Sequence, residues 1–96
     1  MTDSQTEIPT DPPNREPDMT VDNRGTGCAN GIARVQRTLE DLDDGAILRI
    51  RRTDRRAKQE YPQLAAQTPH ELLAIESTRT GLIRTEYTTY LEVRTA

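Results

Sequence analysis

The sequence predicts an α/β fold, a two-layer sandwich in which two helices cover one face of a four-stranded mixed sheet. Two segments carry apolar residues at helical spacing, four segments have the composition of short strands, and turn residues separate them. The predicted order is β-α-β-α-β-β. Two successive β-α-β units imply that the first three strands run parallel with right-handed crossovers, so both helices should lie on the same face.

The first half of the domain is predicted as strand, helix and strand. MTVDNR (19–24) is a short strand that ends at Gly25, and Asp43-Asp44-Gly45 is a turn that ends the first helix. Within 30–42, aliphatic residues at i, i+3, i+7 and i+10 define one helical face, formed by Ile32, Val35, Leu39 and Leu42. AILRIRR (46–52) alternates like a half-buried strand, with Ala46, Leu48 and Ile50 on one side and Ile47, Arg49 and Arg51 on the other.

The second half is predicted as helix, strand and strand. Asp54 is the expected N-cap of the second helix, and Pro62 is expected to kink it. The apolar face of this helix consists of Ala57, Tyr61, Leu64 and Ala65. ELLAIES (71–77) is the third strand, TRTG (78–81) a turn, and TEYTTYLEVR (85–94) contains the fourth strand. The short turn makes the last two strands antiparallel.

The N-terminal region differs in composition from the rest of the chain. Residues 1–19 contain four of the six prolines, and residues 1–20 carry five acidic residues and one basic residue. Such a segment buries too little apolar surface to offset its chain entropy. We therefore predict a disordered acidic Pro-rich tail over residues 1–19, without contacts to the domain, and one domain over residues 20–96.

Composition excludes several classes of site. A single cysteine cannot form an intrachain disulfide, and one Cys with one His cannot form a four-ligand zinc site. No Gly-rich phosphate motif of the Walker or dinucleotide type is present. The sequence shows no signal-peptide pattern and no apolar run of transmembrane length. A cytoplasmic, reducing compartment is the corresponding expectation.

The lone Cys28 should lie at a positively charged edge of the sheet. It follows the first strand, and residues 49–58, which end the second strand and begin the second helix, carry six basic residues and one acidic residue. Parallel strands end at the same edge, where both helices begin, so cations and helix dipoles should favour a thiolate. The alternative is an inert, buried cysteine. His70 precedes the third strand, at the opposite edge, so a Cys-His dyad is not expected and a structural role is.

The arginines of this edge have two interpretations. The first is a surface that contacts a protein partner, and the second is binding to RNA phosphates. The chain has no Phe or Trp and only three Tyr, so it offers no obvious stacking platform for single strands, and direct nucleic-acid binding is not expected. The candidate partner-binding residues are Arg24, Arg51, Arg52, Asp54, Arg55 and Arg56.

Several short motifs together resemble the TusA/SirA-like sulfur-carrier family. The family pattern runs D-x-R-G-x-x-C-P-x-P, then D-G, D-P, I-P-x-F and G-H-E-L. The matching residues of this chain are Asp22-x-Arg24-Gly25-x-x-Cys28, Asp44-Gly45, Asp54, Tyr61-Pro62-x-Leu64 and His70-Glu71-Leu72. The match runs without gaps from about Asp22 to Glu76, and it implies the same β-α-β-α-β-β sandwich.

The resemblance also implies a function. Members of this family carry sulfur as a persulfide on the cysteine that corresponds to Cys28. They accept it from a cysteine desulfurase or a rhodanese-like donor and pass it to an acceptor protein, for tRNA thiolation, cofactor biosynthesis or sulfur metabolism, without a metal or organic cofactor. The chain would then be a monomeric, sulfurtransferase-like carrier. The alternative is a non-catalytic interaction or regulatory module of the same fold.

Both prolines of the family's C-P-x-P motif are absent from this chain, which has Cys28-Ala29-Asn30-Gly31 instead. Proline in the first turn presets φ, whereas glycine leaves the backbone permissive. From the sequence alone, the segment around Cys28 is therefore expected to be looser than in the family pattern.

Overall fold

The computed structural model describes residues 8–25, 28–81 and 84–95, with Cys28 and Ala29 described by their backbone. The predicted order of elements is confirmed. The elements are β1 (Met19–Asp22), α1 (Cys28–Asp41), β2 (Ile47–Arg52), α2 (Ala57–Ala66), β3 (Glu71–Thr80) and β4 (Arg84–Glu92).

The four strands form one mixed sheet in the order β1-β2-β4-β3. β1 pairs with β2 in parallel, and β4 pairs antiparallel with both β2 and β3. Glu92 of β4 faces Ile47 of β2 on one side and Glu71 of β3 on the other. β1, β2 and β3 therefore run in the same direction, and β4 is inserted between the second and the third.

Both helices lie on one face of this sheet, as predicted. Their buried residues belong to the same core cluster as the residues of the sheet beneath them. That cluster comprises Val35 and Leu39 of α1, Ala57, Tyr61 and Leu64 of α2, and Val21, Leu48, Ile50, Leu91 and Val93. We call this side of the sheet the helix face and the opposite side the open face. Burial of these aliphatic and aromatic side chains is the main force that holds the helices on the sheet.

The hairpin between β3 and β4 is longer than predicted. The proposed turn at 78–81 is wrong, because Thr78 and Thr80 continue β3 and pair with Glu86 and Arg84. Threonine fits a pleated strand well. The chain leaves the strand at Gly81, whose φ of 72° lies in the left-handed region that favours glycine.

The start of α2 also differs from the prediction. Its N-cap is Arg56, which makes no side-chain capping bond, so the assignment of Asp54 as N-cap is wrong. Asp54 closes the turn that precedes α2. Its Oδ1 accepts the backbone N–H of Arg56 at 2.9 Å, and its carbonyl accepts the N–H of Ala57 at 3.0 Å. A short carboxylate side chain commonly closes such a turn. Pro62 lies inside the helix.

Part of the proposed tail contacts the domain. In the N-terminal segment, defined here as residues 8–18, the Pro9 carbonyl accepts the N–H of Ile75 at 2.9 Å. The N–H of Asp18 donates to the Ile47 carbonyl, and the N–H of Ile47 donates to Asp18 Oδ2, each at 2.8 Å. The expectation that the tail makes no contacts is wrong for these residues. Residues 1–7 lie outside the described part of the chain, and the boundary at residue 20 stays a prediction.

A small apolar cluster lies on the open face. Ile47, Ala74 and Tyr90 are buried there, and Leu73 packs against them. Both described helices are on the other side of the sheet and do not cover this cluster. The hydrogen bonds of the N-terminal segment lie at its borders, on Ile47 and on Ile75. We infer that this segment supplies the cover.

Candidate functional site at the edge where β1 and β2 end

The candidate site is built on two connections that leave the same edge of the sheet. Asp22, the last residue of β1, pairs with Arg51 of β2, and because the two strands are parallel they end together. The chain after β1 leads to Cys28, the first residue of α1, and the chain after β2 leads through Asp54 to α2. Both helices therefore begin at this edge.

His70 lies at the opposite edge, as the topology predicts. It immediately precedes β3, which starts level with β2. Its Nδ1 accepts the backbone N–H of Arg94 at 3.1 Å, just beyond the end of β4. Its observed contact is thus to the chain's own backbone, as expected for a structural role.

Arg24 and Arg51 meet on a shared glutamate. Arg24 donates to Asp22 from Nε at 2.8 Å and from Nη2 at 2.6 Å, and it donates to Glu86 from Nη1 at 3.1 Å. Arg51 Nη2 donates to the other carboxylate oxygen of Glu86 at 3.0 Å. Hydrogen bonds from the Arg24 side chain and backbone lower the pKa of Asp22 to about 2. Those from Arg51, then Arg24, lower the pKa of Glu86.

Arg51 lies on the other side of the sheet from the helices. Residues alternate between faces along a strand, and Ile50 belongs to the core on the helix face. Arg51 therefore lies on the open face, with Glu86. The sheet therefore separates the Arg51 side chain from the helix layer, while Glu86 links it to Arg24 in the segment that follows β1.

Arg52 lies on the helix face and is 2 % exposed. Its guanidinium forms an ion pair with Glu60 through Nη1, and Nη2 lies 3.6 Å from Asp54 Oδ2. Its Cζ is 5.8 Å from the centre of the Tyr61 ring, within range of a cation–π contact. Arg52 is thus a buried structural cation that joins β2 to α2.

The Tyr61 ring is buried below these charges. Burial raises the pKa of its hydroxyl, an effect that the charge of Arg52 opposes. Within the part of the chain that the structure describes, this hydroxyl makes no hydrogen bond of standard geometry, and the polar groups near it are the Arg52 guanidinium and the Asn23 amide. The region under the start of α2 therefore combines an apolar ring with a tightly held cation.

Arg55 and Arg56 are exposed cations at this edge. Both precede α2, and the side chain of Arg56 is 65 % exposed although its Nε lies 3.4 Å from Asp54 Oδ2. The backbone N–H of Arg56, followed by the nearby arginines, lowers the pKa of Asp54. Lys58 Nζ lies 6.0 Å from the centre of the Tyr87 ring. This surface can present positive charge to an acidic partner.

Sequence reasoning missed one residue of the site, Asn23. It is buried, and its Nδ2 donates to the carbonyl of Gly31 in α1 at 3.0 Å. Asparagine next to a turn is usually exposed, so the residue type gives no signal. The one sequence signal is Gly31 itself, because glycine inside a helix is unfavourable unless something requires it.

Within the part of the chain that the structure describes, no helix is long and apolar enough to cross a membrane. No three His, Cys, Asp or Glu side chains come together there in a way that could hold a metal ion.

The fold and the site define a small two-layer α/β protein with a cysteine at the start of its first helix. The family model for sulfurtransferase TusA matches residues 19–91. The chain therefore belongs to the TusA family, whose members act as sulfur carriers that work with donors and acceptors of sulfur. A comparison with curated proteins found no match.

Proposed function

We propose that this protein carries sulfur as a persulfide on Cys28. The observation that carries the proposal is the family match over residues 19–91, within which Cys28 is the first residue of α1. The start of a helix favours a thiolate, since its free N–H groups carry partial positive charge. The thiolate is the reactive form of cysteine in exchange between sulfur atoms.

The proposed reaction is an exchange of one sulfur–sulfur bond for another. The Cys28 thiolate attacks the terminal sulfur of a donor persulfide, R–S–SH. The new bond joins Cys28 Sγ to that sulfur, the bond within the donor breaks, and the donor leaves as the thiolate R–S⁻. The proton stays on the transferred sulfur, and the step needs no external oxidant or reductant. Delivery to an acceptor thiolate repeats the step with Cys28 as the leaving group.

The partners are proposed to be a cysteine desulfurase or a rhodanese-like donor and a downstream acceptor protein. The exposed cations Arg55 and Arg56 flank the start of α2, at the edge where α1 also begins. Arg24 and Arg51 contribute partly exposed guanidinium groups that Glu86 already orients. Arg52 and Asp54 support this surface from beneath. A partner with acidic residues around its own cysteine fits such a surface.

Membership of the family leaves several destinations for the sulfur, and we propose the same range for this chain. They are tRNA thiolation, cofactor biosynthesis and sulfur metabolism, all in a cytoplasmic setting. We propose that the chain acts as a monomer and leaves contact with any nucleic acid to its acceptor.

The test is the intact mass of the protein after incubation with a sulfur donor. Two donors are used in parallel: a cysteine desulfurase with cysteine, and a rhodanese with thiosulfate. We expect a gain of about 32 Da, the mass of one sulfur atom, that dithiothreitol reverses. The matched control is Cys28→Ser, which should gain nothing because the chain has no other cysteine.

A positive control removes ambiguity from a negative result. A family member with the intact C-P-x-P motif is treated with the same two donors. If that protein gains sulfur and the present chain does not, the carrier proposal is wrong and the non-catalytic interaction module becomes the better account.

A further inference from the structure

One buried side chain joins the end of β1 to the first turn of α1. Asn23, 2 % exposed, follows β1 directly. Its backbone N–H donates to the Arg51 carbonyl at 2.8 Å, which extends the pairing of β1 with β2 by one residue. Its side-chain Nδ2 donates to the carbonyl of Gly31 at 3.0 Å. Sheet and helix are thus connected here by a direct hydrogen bond.

A side chain at Gly31 would crowd this amide. A Cβ at position 31 would lie 3.1 Å from Asn23 Nδ2, tighter than ordinary contact, and 3.4 Å from Asn23 Cγ, so the amide would have to shift by a few tenths of an ångström. The φ of Gly31 is not positive, so its backbone conformation would suit other residues. Alanine would otherwise stabilise the helix more than glycine does. The close approach of Asn23 is therefore the feature that favours glycine at this position.

The other end of the same amide is also held. Asn23 Oδ1 accepts from Arg34 Nη1 at 3.4 Å, and that nitrogen lies 3.3 Å from the Asp22 carbonyl, to which it also donates. The Asn23 amide therefore donates from its nitrogen to Gly31 and accepts at its oxygen from Arg34, and these two bonds define its orientation. Through Gly31 and Arg34 it contacts two successive turns of α1.

We propose that Asn23 is a positioning residue for Cys28, and that Asn23 and Gly31 act as a pair. The amide holds the first turn of α1 against the sheet, and that turn carries the N–H groups that stabilise a thiolate at the helix start. The family pattern has proline at position 31, which restricts the backbone by its ring. In this chain a hydrogen bond restricts the same turn, and it needs the space that glycine leaves.

The first experiment compares two asparagines of the same region. Asn23→Ala removes the buried amide, and Asn30→Ala removes an exposed amide from the first turn of α1. The readout is the rate of iodoacetamide alkylation of Cys28 as a function of pH, which reports the thiol pKa. We expect Asn23→Ala to raise this pKa and to slow alkylation at pH 7 by about threefold, because less thiolate is present. Asn30→Ala should match the unmodified chain.

The second experiment tests the pair. Gly31→Ala in the unmodified chain should lower the melting temperature or leave it unchanged, because the new Cβ displaces the amide. In the Asn23→Ala background the same change should raise the melting temperature by about 3–6 °C, the ordinary gain from alanine in a helix. If Asn23→Ala does not fold, the alkylation rate of Cys28 is measured on Gly31→Ala, because that change displaces the amide without deleting it.

The proposal rests on the proposed function only for the choice of Cys28 as the reacting group. Alkylation needs no sulfur donor, so a chain that fails to accept sulfur can still show the effect of Asn23 on the thiol. Equal pH profiles for the two asparagine variants, or a thiol that is inert in the unmodified chain, would overturn the proposal. So would a Gly31→Ala effect of the same size and sign in both backgrounds.

Discussion

The arginines on the two faces of the sheet differ in burial and in the partners they contact. On the helix face, Arg52 is buried, paired with Glu60 and Asp54, and close to the Tyr61 ring. On the open face, the neighbouring Arg51 keeps about a third of its side chain exposed and shares Glu86 with Arg24. Residues adjacent in the sequence thus have different tasks. One holds the helix layer on the sheet, and the other contributes to a charged surface.

The same contrast applies to the apolar residues. The helix face contains the main core cluster, which two helices cover. The open face contains a cluster of three buried residues that we infer to be covered by the N-terminal segment. A cover made by irregular chain depends on few hydrogen bonds and little apolar area, so it should be weaker than a helix. The comparison therefore predicts unequal effects when either side is disturbed.

The largest effect is expected for Arg52→Ala. This change removes the cation that pairs with Glu60, opens space beside Tyr61 and should lower the free energy of unfolding by about 3 kcal/mol. Denaturant unfolding measures it. The control is Arg49→Ala on the open face of the same strand, where the lost contact is a hydrogen bond to Thr20, and it should cost less than about 1 kcal/mol. Equal losses for the two variants would contradict the distinction between the faces.

A smaller loss is expected when the N-terminal segment is removed. Deleting residues 1–16 should expose the cluster around Ile47 and Tyr90 and lower the free energy of unfolding by about 1–2 kcal/mol. The control deletes residues 1–7 alone, so that the comparison isolates residues 8–16. Sequence composition by itself predicts no effect for either deletion. The same melting temperature for both would show that the segment provides no cover.

The exposed arginines at the edge where α1 begins, Arg55 and Arg56, provide a third comparison. Replacing Arg55 and Arg56 together with Ala should slow alkylation of Cys28 at pH 7 about two- to threefold, because two exposed cations no longer favour the thiolate. Arg51→Ala should have a smaller effect, because its side chain lies on the open face. Added salt should reduce the difference between the chains, since exposed charges are screened. A larger effect from Arg51→Ala than from the double variant would contradict the expectation that the helix-layer arginines influence Cys28 more than the open-face arginine does.

The smallest effect concerns acid pH. The pKa of Asp22 is about 2 in the folded protein, below the ordinary value of 3.8, mainly through hydrogen bonds from Arg24. Because the folded value is the lower one, the pairing contributes stability above about pH 4, which is lost as the pH falls toward 2. Solvent screening keeps this contribution small, since the Asp22 side chain is 47 % exposed. Carboxyl NMR measures the pKa, and Arg24→Ala should return it toward 3.8.

The positions and types of the elements could be predicted from local patterns alone. Helical spacing in α1, alternation in β2 and turn residues at Gly45 each depend on a few neighbouring residues. The edge that holds Cys28 follows from the parallel order of β1 and β2, since parallel strands end together. The strand and turn propensities of 78–81 conflicted, and there the pairing with β4 decided the outcome.

Only the tertiary structure decided which charges are exposed and which contact joins the end of β1 to the first turn of α1. Composition alone does not distinguish the arginines of residues 49–58 from one another. In the folded chain, strand alternation and the position of α2 bury Arg52 and leave Arg55 and Arg56 exposed. The insertion of β4 between β2 and β3 brings Glu86 to Arg24 and Arg51.

The loss of both family prolines predicted a looser segment around Cys28. What the sequence does not reveal is that the Asn23 amide lies within hydrogen-bond distance of the Gly31 carbonyl. That contact depends on how closely the helix approaches the end of β1. The sequence determines the periodicity that forms each element, because this is a local property. The distance between two elements depends on packing across the whole core, and therefore only the folded chain sets it.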